Sequence, residues 1–218
     1  MKTVIVVARH GNTFAEGETP RRIGAKTNLP LVETLRGTSV GLYLKARALV
    51  PSAIYAAPLL RTLQTAELAA AACGAEVAVT ELDEFTEIDY GPDENKTEEE
   101  VFLRLGAGDP NRGKAIIEAW NASATVPDGW RADARRIVDA WFEFAAAVET
   151  GLKGKVALIV TSNGIIRFAP HLTGDFDGFA RKRELKTATG AVCIFEKEED
   201  AKFWTCREWN AKPYGMQF

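Results

Sequence analysis

The sequence predicts one α/β domain, a three-layer α/β/α sandwich around a mostly parallel central sheet. Two apolar runs carry that expectation, Thr3 to Ala8 and Val156 to Thr161. Both are continuous rather than alternating, as strands buried on both faces of a parallel sheet are composed. Helical periodicity recurs around them, and strands alternating with helices close into a sandwich with a helical layer on each side.

Thr3 to Ala8, the first strand, delivers Arg9, His10 and Gly11 to the loop at its C-terminal end, where ligands bind in open α/β sheets. Residues 14–34, rich in Gly, Pro, Arg and Thr, form a long surface loop; helical spacing resumes over 36–49 and stops before Pro51. Ala53 to Ala56 is a short strand. A helix then runs from Pro58 through the alanine-rich stretch to Ala72, so Arg61 lies in its first turns, where free backbone N–H groups favour an anion. Glu76 to Thr80 is a third strand. The acidic stretch 81–100 is a loop leading into a helix from about Thr97, and Leu105 to Asp109 a helix end and turn. Helices cover 112–122 and 131–149, the second with an apolar stripe of Ile137, Val138, Trp141, Phe144 and Ala145. After the strand Val156 to Thr161, residues Ser162, Asn163 and Gly164 turn into a short helix. Ala191 to Phe195 and Phe203 to Arg207 form an edge hairpin around the charged EKEEDAK turn.

With 218 residues and 46% apolar content, residues 1–218 bury a full core as a single domain. The 27 basic and 30 acidic residues balance to −3, leaving no global positive field for a nucleic-acid backbone or an anionic membrane. Cys73, Cys193 and Cys206 lie far apart without ligand spacing, as expected of small buried side chains in a reducing compartment. The first apolar run ends at Arg9, too short for a signal peptide or a membrane span, and the expected location is the cytoplasm. With two histidines and dispersed acids, neither a metal site nor a cofactor is expected. The sequence leaves monomer and homodimer open.

The loop Arg9-His10-Gly11-Asn12-Thr13 is the sharpest chemical signal. A neutral imidazole attacks a phosphoryl group through nitrogen, and an adjacent guanidinium binds two of its oxygens. Gly11 lets the backbone approach an anion, and Thr13 adds a hydroxyl donor. The ligand class implied is a small phosphorylated metabolite.

This loop resembles the first motif of the histidine phosphatase superfamily, also called phosphoglycerate mutase-like. Arg61 to Ala66 is similar to the second motif and Glu87 to Gly91 to the acidic loop. The likeness continues through Leu158 to Arg167 into Trp209-Asn210, nearly the whole chain. It implies a phosphoglycerate mutase-like fold and phosphomonoester hydrolysis through a phosphohistidine intermediate. His10 would be the nucleophile, while Arg9 and Arg61 hold the equatorial phosphoryl oxygens. Glu87 would protonate the leaving oxygen and then activate water, with Glu84 as the runner-up. A helical lid insertion is expected around residues 92–130.

The pattern departs at the fourth motif, where the family ends its strand with a second histidine followed by glycine. Here Val160-Thr161-Ser162-Asn163-Gly164-Ile165-Ile166-Arg167 sets Ser162 at the histidine's place and Asn163 at the glycine's, and His171 falls out of register. Removing one such donor costs about 2.7–4 kcal/mol of transition-state stabilisation. Ser162 and the Asn163 amide are the available substitutes. Arg21 and Arg22 stand where the substrate-facing loop would run, one of them to clamp a substrate carboxylate or second phosphate. Lys26, Thr27, Asn28 and Lys96 are weaker candidates. Two other outcomes stay open: a phosphate-ligand binding or regulatory protein with weakened turnover, and, less favoured, a phosphomutase or phosphotransferase whose lid excludes water.

Overall fold

In the computed structural model, which describes residues 1–216, strand β1 (Lys2–Arg9) lies inside a six-stranded sheet. Its side chains divide the core. Val4, Val6 and Ala8 pack on one face, Ile5 and Val7 on the other. With β2 (Ala53–Ala56), β3 (Val79–Glu81), β4 (Val156–Thr161), β5 (Val192–Glu198) and β6 (Thr205–Ala211), the sheet order is β3-β2-β4-β1-β5-β6. The first four strands are mutually parallel, and β5 and β6 add an antiparallel hairpin at one edge.

Helices α1 (Leu35–Ala46) and α2 (Leu60–Cys73) cover the Val4 face. They pack so closely that a Cβ at Gly41 would lie 2.2 Å from the Ala69 carbonyl oxygen. Helices α3 (Glu98–Leu105), α4 (Pro110–Ser123) and α5 (Ala134–Gly151) contribute to the opposite core, where Trp141 meets Phe85 edge-on at 4.7 Å. The starts of α3, α4 and α5 are capped by Thr97, Asp109 and Asp133, each accepting from backbone N–H groups. Two short helices follow β4, α6 (Asn163–Ile166) and α7 (Phe176–Ala180). This is the three-layer sandwich that the sequence predicts.

Three strands, β3, β5 and β6, differ from expectation by more than a residue at an end. β3 is shorter than Glu76 to Thr80 and displaced, because among the described residues it pairs with the four-residue β2 alone, whose register joins Ile54, Tyr55 and Ala56 to Val79, Thr80 and Glu81. β6 begins after Phe203 and runs on to Ala211, paired with β5 across register shifts that break simple alternation. Part of the charged EKEEDAK turn is accordingly strand, since β5 extends to Glu198.

The register also builds the functional edge. Arg9 pairs with Thr161 and Ala56 with Val160, so His10, Ser162 and the turn into α2 emerge side by side at the C-terminal ends of parallel strands. No described helix is long and apolar enough to cross a membrane.

Candidate active site

A cavity of about 630 Å³ opens at this edge. The first loop lines it with Arg9, His10, Asn12 and Thr13; the long loop adds Arg21 and Arg22; Glu87 and Asn163 complete the set. Arg61 and Ser162 are wholly buried and do not reach the lining.

His10 is 3% exposed, and its Nδ1 lies 2.8 Å from the Gly11 carbonyl oxygen. A carbonyl oxygen only accepts, so Nδ1 carries the proton and Nε2 keeps the lone pair. Burial, reinforced by the Arg61 and Arg9 charges, holds the imidazole well below the usual histidine pKa, and the ring is neutral at pH 7. Gly11, expected to face an anion, instead donates its N–H to Thr65 Oγ1 at 3.0 Å, which ties the loop to α2.

The guanidinium groups of Arg9 and Arg61 act on the imidazole and that of Arg167 acts on Arg9's neighbours, and among the described residues none of the three has a carboxylate within 4 Å. Arg9 donates Nη1 to the Thr187 carbonyl at 2.6 Å. Arg61 donates to the carbonyls of Thr27 (2.8 Å) and Gly24 (3.3 Å), and those bonds hold it away from the cavity surface. Arg167, on the turn after α6, donates Nη1 to the Trp120 carbonyl at 2.5 Å and stacks 3.7 Å above the Trp120 ring. Burial lowers the pKa of all three, Arg167 to about 9, while the Glu87 charge opposes the shift. Arg9 Nε, Arg61 Nε and Arg167 Nη2 are buried without a hydrogen-bond partner among the described residues.

Glu87 is 5% exposed; its carboxylate accepts from the N–H of Ile88 at 2.9 Å and of Gly164 at 3.2 Å. A Cβ at Gly164 would lie 2.1 Å from Glu87 Oε1, so a side chain there would displace the Glu87 carboxylate. Asn163 Oδ1 accepts from Thr187 N (2.9 Å) and Thr187 Oγ1 (3.2 Å). Those two bonds fix the amide's orientation and leave Nδ2 to donate elsewhere, and Asn163 lines the cavity. Ser162 Oγ is buried with no partner among the described residues. Glu84 is exposed in a 3₁₀ turn outside the lining.

The weaker candidates have structural partners. Lys26 pairs with Asp89 at 3.0 Å and Lys96 with Glu100 at 3.1 Å. Asn28 Oδ1 accepts from Leu60 N at the start of α2, and Thr27 Oγ1 donates to Glu94. His171 stacks on Phe176 with ring centroids 4.0 Å apart, away from the cavity. Sequence reasoning missed Arg36, Tyr90, Lys186 and Thr189, which also line the cavity. Only Tyr90 carried a signal, as a neighbour of Glu87 in the acidic loop. The others arrive through contacts between distant segments, such as Thr189 Oγ1 to Asn12 Oδ1 at 2.6 Å. Among the described residues no three His, Cys, Asp or Glu side chains converge as metal ligands.

The family model of the histidine phosphatase superfamily, branch 1, matches residues 5–212. Bacillus stearothermophilus YhfR superposes with a TM-score of 0.72 at 21% identity, covering 96% of this chain and 97% of that one. A phosphoglycerate mutase from Bacillus anthracis str. Sterne gives 0.77 at 18% identity, covering 98% and 95%. A mycobacterial glucosyl-3-phosphoglycerate phosphatase gives 0.73 at 17% identity, covering 97% and 100%. Comparison with curated proteins finds no match.

Proposed function

The chain belongs to the histidine phosphatase superfamily, and from that premise we propose that it hydrolyses phosphomonoesters of a small anionic metabolite through a phosphohistidine on His10, without a metal. The observation that carries this reading is the neutral, buried His10 with its proton pinned on Nδ1 by Gly11. The free Nε2 lone pair attacks phosphorus, and the bond from phosphorus to the ester oxygen breaks. Glu87, the one buried carboxyl group among the lining residues described, gives that oxygen its proton. Water then attacks the phosphohistidine, Glu87 takes the water's proton, and the P–N bond breaks to release phosphate and regenerate the imidazole.

Charge supports the same reading. The Arg9, Arg61 and Arg167 guanidiniums face a single buried carboxylate, so a phosphoryl dianion completes the electrostatics of the site. Arg9 and Thr13 bind its oxygens, Asn12 contributes its amide, and Arg61 adds charge from behind. Asn163 Nδ2 supplies the donor that a second histidine gives in the family pattern, while Ser162 occupies that histidine's backbone position. We read the helical segment around 92–130 as the lid, because Glu98 joins the lining and Thr97 bridges to Arg21.

One observation favours a second reading, phosphate-ligand binding with turnover lost: among the described residues Ser162 Oγ reaches neither a partner nor the lining. Hydrolysis of a panel of phosphomonoesters beside His10→Ala, with intact-mass analysis after rapid quenching, separates the two. Turnover that requires His10, with an acid-labile gain of one phosphoryl group, supports the hydrolase. Binding that requires Arg9 without turnover or adduct overturns it.

A further inference from the structure

Residues 186–190 tie the candidate site together, although they belong to neither a helix nor a strand. The Thr187 carbonyl accepts from Arg9 Nη1 at 2.6 Å, and its N–H and Oγ1 donate to Asn163 Oδ1 at 2.9 and 3.2 Å. Thr189 Oγ1 donates to Asn12 Oδ1 at 2.6 Å, and the Gly190 N–H donates to the carbonyls of Arg9 and His10 at 3.1 and 3.0 Å. Without a helix or sheet ladder of its own, the segment takes its position from the groups that hold it. Arg36 Nη1 holds the far end through the Thr189 carbonyl at 3.1 Å.

Asn210 holds the centre. Its Oδ1 accepts from the Ala188 N–H at 2.8 Å and its Nδ2 donates to the Lys186 carbonyl at 3.4 Å, so one amide clamps the backbone on both sides of Thr187. The sheet explains how a strand residue comes to do this. Between the pairs Val192–Ala211 and Ile194–Glu208, β6 contributes one residue more than β5. Asn210 falls in that bulge with φ 58°, a left-handed conformation that asparagine tolerates better than most residues, and its N–H donates to Cys193 Sγ at 3.4 Å. The bulge takes Asn210 out of simple alternation along the strand, and its amide meets the segment rather than a cross-strand neighbour. Asn210 does not itself line the cavity.

We propose that Asn210 is a positioning residue for phosphoryl binding, acting through Thr187, which sets Arg9 and Asn163 together. This rests on the reading of the cavity as a phosphoryl site, and the test keeps it apart from turnover. Inorganic phosphate is titrated calorimetrically into the wild-type protein, Asn210→Gly and Asn210→Asp, each with and without Arg9→Met. Glycine keeps the left-handed backbone and removes both arms of the clamp, whereas aspartate keeps the acceptor for Ala188 and loses the donor to Lys186. Asn210→Gly is expected to weaken phosphate binding about tenfold, a size common among coupled residues of one network, and Asn210→Asp by less. With Arg9→Met already present, the loss from Asn210→Gly shrinks to about two- to threefold, the part carried by Asn163. A folded Asn210→Gly protein that binds phosphate within twofold of wild type overturns the proposal. So does an equal loss with and without Arg9, which marks a general structural effect. Where Asn210→Gly does not fold, the same comparison on Asn210→Asp decides, its loss shrinking beside Arg9→Met or, in the contrary case, staying the same. A wild-type protein that binds no phosphate overturns the positioning role together with the phosphoryl site. Absence of turnover with the coupling of Asn210 to Arg9 intact removes the hydrolase and leaves the positioning role standing.

Discussion

Asn163 offers the most direct test of how the site works, because acceptor and donor ends of its amide have separate tasks. Oδ1 is held by Thr187 N and Oγ1, at 2.9 and 3.2 Å, while Nδ2 is left to donate elsewhere in a residue that lines the cavity. Asn163→Asp keeps an acceptor for Thr187 and replaces the cavity donor with a carboxylate oxygen. Asn163→Ala removes both ends, and the N–H of Thr187, a residue 1% exposed, loses its partner. Deleting one preorganised donor to a developing oxyanion costs about 2.7–4 kcal/mol, roughly a hundredfold to a thousandfold in kcat. Asn163→Ala should lose that much. Asn163→Asp should lose more, since a carboxylate also repels the phosphoryl oxygens. Stability should run in the opposite order. Asn163→Ala costs about 1–3 kcal/mol for the stranded N–H, while Asn163→Asp melts near the wild type. The assay is steady-state phosphomonoester hydrolysis beside thermal melting. A folded Asn163→Asp protein with kcat within twofold of wild type would refute the assignment of Nδ2 as a phosphoryl donor.

Other predictions concern charge and burial. Inorganic phosphate at a hundred times its Kd should stabilise the protein by about 2.7 kcal/mol, or about 5–11 °C in Tm. Arg9→Met should shrink that shift while raising Tm without phosphate, because a buried guanidinium lacking a carboxylate is removed. Asp93→Asn should lower stability by about 3 kcal/mol, the low end for a broken buried pair, since Arg104 is partly solvated; differential scanning calorimetry checks it. The depressed pKa of His10 means that the unfolded chain binds the extra proton below about pH 6.5, so stability falls as pH drops from there toward the folded-state pKa. His10→Gln should flatten the acid side of the Tm–pH curve, with His171→Gln as the comparison because burial depresses His171 in the same direction.

The fold was legible where a segment's own composition decides its state. β2 and β4 match their sequence-predicted bounds, and β1 and α2 differ from theirs by a residue or two at an end. Legibility failed where a partner decides. β3 ends where the short β2 ends, and β6 takes its limits from bulged pairing with β5, neither of which is encoded within the strand itself. The same division holds in the site. Arg9, His10 and Glu87 could be read because each sits in a local motif. Lys186 and Arg36 could not, because they enter from segments far along the chain. Arg22 meets Trp130, more than a hundred residues away, at 4.8 Å from guanidinium carbon to ring centroid, where Trp130 Nε1 donates to Asp93 Oδ2 at 2.6 Å.

Positions 162, 163 and 164, where β4 turns into α6, have three different surroundings. A side chain at position 164 would push the Glu87 carboxylate out of its place. Position 162 ends a buried strand, and its hydroxyl reaches no polar partner among the described residues. Position 163 alone opens onto the cavity and lies against Thr187, so it is the one place of the three where a side chain is both tolerated and oriented. An asparagine there supplies a donor that, unlike an imidazole, does not titrate near neutral pH. A histidine introduced at 162 beside it would compete for the same side of the phosphoryl group. Ser162→His should therefore gain rate only when combined with Asn163→Gly, and a gain from the single substitution, read as kcat, would show that the two side chains do not share one space.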